Sequence, residues 1–149
     1  MSHQKVKRFN CVVNEINEVY HDAAERMGIS NSALNILYVI CENGDRCLQS
    51  EIYKQTGISR QTINSAIRKL EKDGTVYLEQ GQGRNTIVCL TDAGKETADR
   101  KIRPIIRIED EIFDEWTEQE ARMYQDLTER YRDSLKEKLD DLFDLLFPQ

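Results

Sequence analysis

Four side chains in one stretch have the types and the spacing to read base edges. Gln61, Asn64, Ser65 and Arg68 stand at i, i+3, i+4 and i+7, which aligns them on one face of an α-helix. In the major groove of DNA, Gln and Asn can pair bidentately with adenine, Arg with guanine, and Ser with donors or acceptors. Lys72 continues the row by a turn, while Arg60, Thr62 and Lys69 lie on its flanks, where a helix in the groove meets phosphates. Any amphipathic helix has a polar outer face, so the spacing does not by itself separate a reading head from a solvated surface. The composition does: no Asp or Glu occurs from residue 59 to residue 70.

That gap stands out because the chain as a whole is acidic, with a net charge of −6 over 149 residues. The charge is unevenly spread. Residues 1–44 carry 4 basic and 5 acidic side chains, residues 45–91 carry 7 and 5, and residues 92–149 carry 10 and 17. The field of the contacting surface governs association with a polyanion, not the molecular sum. Only the middle third is net positive, and the acidic C-terminal third is expected to lie away from DNA.

The elements that would hold this row follow from periodicity and caps. Val6, Phe9, Val13, Ile16, Tyr20, Ala24 and Met27 alternate spacings of three and four, one face of an N-terminal helix that ends at Gly28. Asn31 or Ser32 is the expected N-cap of a short helix through Leu34, Leu37, Tyr38 and Cys41, closed by the turn Glu42-Asn43-Gly44-Asp45. Two helices over about 49–56 and 60–73 come next, separated by Thr56-Gly57-Ile58-Ser59. In the second, Ile63, Ala66, Ile67 and Leu70 form the buried stripe, Ser59 is the N-cap, and Gly74 suits the left-handed position after the helix.

The period then changes. Thr75–Leu78 and Thr86–Leu90 are rich in β-branched and aromatic residues, with Glu79-Gln80-Gly81-Gln82-Gly83-Arg84-Asn85 between them, so a two-stranded hairpin is expected. Helix, tight turn, helix and hairpin in this order make a winged helix-turn-helix. At the hairpin tip, Arg84 with Gln82 and Asn85 can reach the backbone or minor groove, and the N–H groups of Gly81 and Gly83 can approach phosphates. Thr91 caps a further helix carrying Ala98, Ile102, Ile105, Ile106, Ile108, Ile112 and Phe113, which Pro104 must bend or divide. The last helix opens on a capping box, Thr117-Glu118-Gln119-Glu120, and carries the stripe Tyr124, Leu127, Tyr131, Leu135, Leu139, Leu142, Phe143 and Leu146. The expected fold class is mainly α, with long terminal helices.

Ile29 to Glu96 resembles the MarR family of bacterial transcription regulators. The matching segments are Gly28-Ile29-Ser30, Ile58-Ser59-Arg60-Gln61-Thr62-Ile63, Lys69-Leu70-Glu71-Lys72-Asp73-Gly74, and above all Val88-Cys89-Leu90-Thr91-Asp92-Ala93-Gly94. Thr117–Glu120 is similar to the start of the family's last helix. The resemblance implies one domain over 1–149, with a winged helix over about 30–95 and helical dimerisation parts at 1–29 and 96–149. It implies a homodimer on a pseudo-palindromic operator in double-stranded DNA, acting by repression or less often activation, relieved by a small effector or by oxidation.

Carried onto matching positions, the resemblance makes Arg60, Gln61, Thr62, Asn64, Ser65 and Arg68 the recognition face, with Gln49 and Ser50 opening the preceding helix where phosphate is often contacted. Two positions depart from the family. In the wing, Gly83 replaces an acid and Asn85 stands where arginine is usual, leaving Arg84 as the substitute. In the helix-turn-helix, Tyr53 occupies a position commonly given to a small residue. The dimer also has a physical warrant, since one reading helix covers one half-site and binds weakly alone. The terminal helices carry more apolar surface than the central motif can cover. Phe9, Val13, Ile16, Ile105, Ile112, Leu135, Leu139, Leu142 and Leu146 are the expected interface, packing within one chain being the alternative.

Other chemistries find less support. Cys11 could act as a redox switch if Lys7 and Arg8, one turn away, lower its pKa, or could be a buried inert thiol. Cys41 and Cys47 would need two more ligands to hold zinc, and only His3 and His21 are available. No metal or cofactor is expected, and no effector pocket can be assigned. With no phosphate loop, nucleophile motif or His-rich metal signature, an enzyme is not expected. Apolar runs of only a few residues and a polar N-terminus make a cytoplasmic protein, rather than a membrane or exported one, the expectation. The competing class is a winged-helix protein-interaction module without DNA affinity.

Overall fold

The computed structural model describes residues 2–149. Its order is α1 (Ser2–Arg26), α2 (Asn31–Glu42), β1 (Arg46–Leu48), α3 (Gln49–Thr56), α4 (Arg60–Lys72), β2 (Val76–Gln80), β3 (Thr86–Leu90), α5 (Asp92–Lys101), α6 (Arg103–Asp114) and α7 (Glu118–Leu146). The chain forms two compact units, one running through Ile106 and the other from Arg107 to Gln149.

The core of the first unit is built where the 3.6-residue period of the helices meets the inner face of the sheet. Ile36, Leu37 and Ile40 of α2, Ile52 of α3, and Ile63, Ile67 and Leu70 of α4 bury together with Val76, Val88, Leu90, Ala98 and Ile102. Each Ile, Leu or Val among them contributes about 1.5–3 kcal/mol by leaving water. The sheet has three strands in the order β1-β3-β2, both pairs antiparallel. Thus the expected two-stranded hairpin gains an edge strand, with Arg46, Cys47 and Leu48 opposite Cys89, Val88 and Ile87. A three-residue strand is too short to show alternation in sequence, but it makes β3 the central strand, which explains the unbroken apolar run Ile87–Leu90.

Caps settle the boundaries. Ser30, in extended conformation, accepts from the Ala33 N–H at 3.0 Å and is the N-cap of α2, in place of the expected Asn31 or Ser32. The left-handed Gly28 (φ +70) ends the first helix early enough to put Ser30 at the capping position. Ser59 caps α4, Thr91 caps α5, and Thr117 and Glu120 form the full capping box of α7. Pro104 divides the long helix, α5 ending at Lys101 and α6 starting at Arg103. At that break the Arg103 guanidinium bonds Asp45 at 2.7 Å and Asp99 at 2.6 Å.

The Val88-x-Leu90-Thr91-x-x-Gly94 segment is a joint between sheet and helix. Thr91 N–H donates to the Thr75 carbonyl at 3.1 Å, its hydroxyl donates to the Gly74 carbonyl, and that same oxygen accepts from Gly94 N–H at 2.9 Å. Gly94 comes so close that a Cβ there would stand 2.0 Å from the Thr75 carbonyl oxygen. In the second unit, Phe113, Trp116 and Tyr124 close the turn from α6 to α7, with centroids 5.0 Å apart for Phe113 and Trp116 and 5.3 Å for the edge-on Trp116 and Tyr124.

Candidate nucleic-acid interface

The helix-turn-helix is set by two local devices. Gly57 takes a left-handed φ of +64, a conformation costly for a side chain, and its N–H closes α3 on the Tyr53 carbonyl. Two residues on, Ser59 starts α4 by accepting from the Thr62 N–H and donating to the Thr62 hydroxyl. Ile63, Ile67 and Leu70 anchor α4 to the core, which turns the opposite face outward. Arg60, Gln61, Thr62, Ser65, Arg68 and Lys69 are exposed there, as is Lys72.

Asn64 differs from its neighbours on this face. It is half-buried, and its Oδ1 accepts from Gln49 Nε2 at 2.7 Å and from the Tyr53 hydroxyl. Gln49 also donates to the Tyr53 oxygen at 2.7 Å, which completes a ring of three side chains across α3 and α4. The Arg60 guanidinium sits 5.2 Å from the centre of the Tyr53 ring, within cation–π range. Bidentate pairing with adenine needs both the oxygen and the nitrogen of an amide, and here the Asn64 oxygen is already taken twice. Gln49, expected at a phosphate, is likewise half-buried and engaged in this ring, whereas Ser50 beside it is exposed. Leu48, which precedes α3, has no polar side chain and makes no cap hydrogen bond, so the first-turn N–H groups of α3 lack one.

The wing is a tight loop over residues 81–85. Gly81 N–H donates to the Asn85 carbonyl at 2.8 Å, Asn85 N–H to the Gln82 carbonyl at 3.2 Å, and the Gln80 amide to the Gly83 carbonyl at 2.9 Å. The Gly81 N–H therefore cannot also serve a phosphate, and only Gly83, at φ +64, needs the left-handed conformation. Gln82, Arg84 and Asn85 are exposed at the tip. At the wing's base Arg46 is paired with Glu79 at 2.8 Å, which leaves Arg84 as the cation of the loop.

The expected interface residues fall in both units. In the first, Phe9, Val13 and Ile16 of α1 are exposed, whereas Ile105 is half-buried against the protomer's own core. In the second, Ile112, Leu135, Leu139, Leu142 and Leu146 are all exposed, from 39% at Leu139 to 57% at Leu146. Cys11 is exposed, not buried, but its electrostatics run opposite to a reactive thiolate. Its Sγ–H donates to the Glu15 carboxylate at 3.0 Å, and that bond, with the charge of Glu15 and then Glu18, raises its pKa above the ordinary thiol value. The nearby Lys7 and Arg8 do not outweigh those carboxylates. Burial pushes Cys41 and Cys47 up to about 11.

Sequence reasoning had no way to see a cleft of about 250 Å³ between the start of α2, the end of α4 and α5, floored by Ala33, Leu37 and Ala66 and edged by Lys69, Asp73 and Lys101. Lys101 Nζ donates to the Met27 carbonyl at 2.7 Å. Among the described residues, no group of three His, Cys, Asp or Glu could hold a metal ion, and no helix is long and apolar enough to cross a membrane.

With this geometry in view, residues 24–84 match the model of the MarR family. No curated protein sequence matches the chain. Among solved structures it is similar to NMB1585, a MarR family regulator from Neisseria meningitidis, with a TM-score of 0.79, 17% identity, and coverage of 92% of this chain and 97% of that one. It is also similar to AbsC, a MarR family transcriptional regulator from Streptomyces coelicolor, at 0.70, 20%, 91% and 95%. The third is NadR in complex with 4-hydroxyphenylacetate, at 0.66, 18%, 83% and 91%. At such identities the likeness is one of fold.

Proposed function

We propose that the chain is a regulator of the MarR type, whose family model residues 24–84 match: a homodimeric, sequence-specific DNA-binding repressor of transcription released by a small effector. The observation that carries the reading is the outward face of α4. Arg60, Gln61, Ser65, Arg68 and Lys69 are exposed on an acid-free helix stretch, while the carboxylates of an acidic protein are concentrated elsewhere. Gln61, Ser65 and Arg68 reach base edges. Arg60, Thr62 and Lys69 meet phosphates, as do the uncapped start of α3 at Ser50 and the wing at Gln82, Arg84 and Asn85.

Dimerisation follows from the apolar rows of α1 and α7. Val6, Val13 and Ile16, and separately Leu135, Leu139, Leu142 and Leu146, are exposed in a single protomer. Rows of that length on a soluble protomer mark an interaction surface. A second copy would cover them and supply the second reading helix, about 34–36 Å away on one turn of DNA. For the effector, NadR holds a small aromatic carboxylate. In this chain the cleft has an apolar floor and a rim of mixed charge, Lys69 and Lys101 with Asp73, whose two ammonium groups could receive such a carboxylate. Lys69 belongs to α4, so a carboxylate held there would compete with phosphate for the same ammonium group.

The test is selection of bound duplexes from a random pool by the purified chain. A two-fold symmetric motif with half-sites one DNA turn apart is the expected result. Failure to retain any duplex at low salt would overturn the reading in favour of a protein-interaction module. A mass of one protomer in solution would overturn the dimer.

A further inference from the structure

Resting on the DNA-binding reading above, we infer that Tyr53 is a specificity-determining residue that acts through Asn64. By donating its hydroxyl to the Asn64 oxygen, alongside Gln49, it leaves Asn64 only its NH2 group to offer a base. This position of α4 then reads a major-groove acceptor and not the donor–acceptor pair of adenine.

The argument is an inventory of donors and acceptors. Gln49 Nε2 stands 2.7 Å from both the Tyr53 oxygen and Asn64 Oδ1, and because these two oxygens are themselves in hydrogen-bond contact, one N–H is shared between them. The single phenolic hydrogen of Tyr53 also goes to Asn64 Oδ1. A carbonyl oxygen has two lone pairs, so Oδ1 is filled. Among the described residues no fully buried side-chain nitrogen or oxygen is left without a partner, and Asn64 Nδ2 makes none of these bonds, so Nδ2 keeps contact with solvent at the surface of α4. That surface is the face shared with Gln61, Ser65 and Arg68. An NH2 group there satisfies guanine O6 and N7 or thymine O4, reaches only N7 of adenine while the N6 donor goes unmatched, and meets cytosine N4 donor to donor.

Tyr53 fits this role better than that of a filler. Its ring is half-buried under the Arg60 guanidinium, at 5.2 Å, and its hydroxyl is the only group of α3 besides Gln49 that bonds α4 at Asn64. Phenylalanine would keep the ring and the cation–π contact while returning a lone pair to Asn64. Aspartate at position 64 would keep an oxygen for Tyr53 and Gln49 and present a second oxygen outward.

Selection from one random duplex pool by wild type, Tyr53→Phe and Asn64→Asp tests this, with melting temperatures measured alongside. The operator position that responds to Asn64→Asp is the one read by residue 64. In wild type it should favour guanine or thymine over cytosine by roughly 5- to 150-fold, the range of one good base contact. Asn64→Asp should turn it toward cytosine, and Tyr53→Phe should turn it toward adenine. Adenine already preferred there by wild type, or identical motifs for wild type and Tyr53→Phe, would overturn the inference while leaving DNA binding intact. Failure of wild type to enrich any motif would instead overturn the reading on which it rests. Should Tyr53→Phe not fold, the wild-type and Asn64→Asp motifs decide between guanine or thymine and adenine on their own.

Discussion

Replacing Gly94 with alanine probes the joint between α5 and the sheet. The new Cβ would stand 2.0 Å from the Thr75 carbonyl oxygen, 3.0 Å from its carbon and 3.4 Å from Leu90 Cδ2. Cβ atoms do not tolerate contacts under 3.0 Å, and the nearest atom is backbone, so α5 itself must withdraw from the start of β2. Overpacking of this kind costs about 1–3 kcal/mol. Withdrawal also stretches the Thr91 bonds to Gly74 and Thr75, each worth about 1 kcal/mol. Alanine's better helix propensity returns about 1 kcal/mol. The net expectation is a loss of about 2–4 kcal/mol, which for a chain of this size lowers the melting temperature by roughly 5–15 °C. Far-UV circular dichroism melts at one fixed protein concentration measure it, since an oligomer's midpoint depends on concentration. Lys95→Ala, at an exposed position of the same helix, is the control and should stay within about 0.5 kcal/mol of wild type. A Gly94→Ala midpoint equal to that of the control would refute the close approach.

Arg68→Ala should weaken operator binding by about 1–3 kcal/mol and relax preference at one base pair, whereas Arg84→Ala should weaken binding across sequences and reduce the salt slope by about one; titrations at several salt concentrations on specific and scrambled duplexes separate the two. Cys41 and Cys47 titrate at about 11 in the folded chain against an ordinary 9.0, so the stability tied to their protonated form is full below about pH 9 and is lost as pH rises toward about 11. Urea midpoints across that range should fall less steeply in Cys47→Ala than in wild type, and parallel slopes would contradict the assignment. Glu15→Gln removes the carboxylate that holds the Cys11 proton, so alkylation of Cys11 at neutral pH should become faster; an unchanged rate would show that Glu15 does not control the thiol.

Much of the helix-turn-helix was legible because it is local. Ile63, Ile67 and Leu70 announce the inner face of α4 by period alone, Ser59, Thr91 and Thr117 announce helix starts by chemistry, and Pro104 announces a break. What escaped depends on contacts between elements. β1 is three residues long and exists only by pairing with β3. The ring of Gln49, Tyr53 and Asn64 joins side chains up to fifteen residues apart, and the cleft beside Lys69 draws on α2, α4 and α5. Cys11 is the exception, since its governing partner was in plain view: Glu15 is one helical turn on, in the opposite direction from Lys7 and Arg8.

The small third strand has a colloidal consequence. Thr86-Ile87-Val88-Cys89-Leu90 is uncharged, β-branched and free of proline, the composition that seeds intermolecular stacking when a strand lies bare. β1 and β2 cover both of its edges, and the edge strands left outermost carry a charge each, Arg46 and Glu79. Such flanking charges act as gatekeepers against growth of the sheet from molecule to molecule. Because β1 is held by only three residue pairs, any change that peels it away would bare one edge of this uncharged strand and remove a gatekeeper with it.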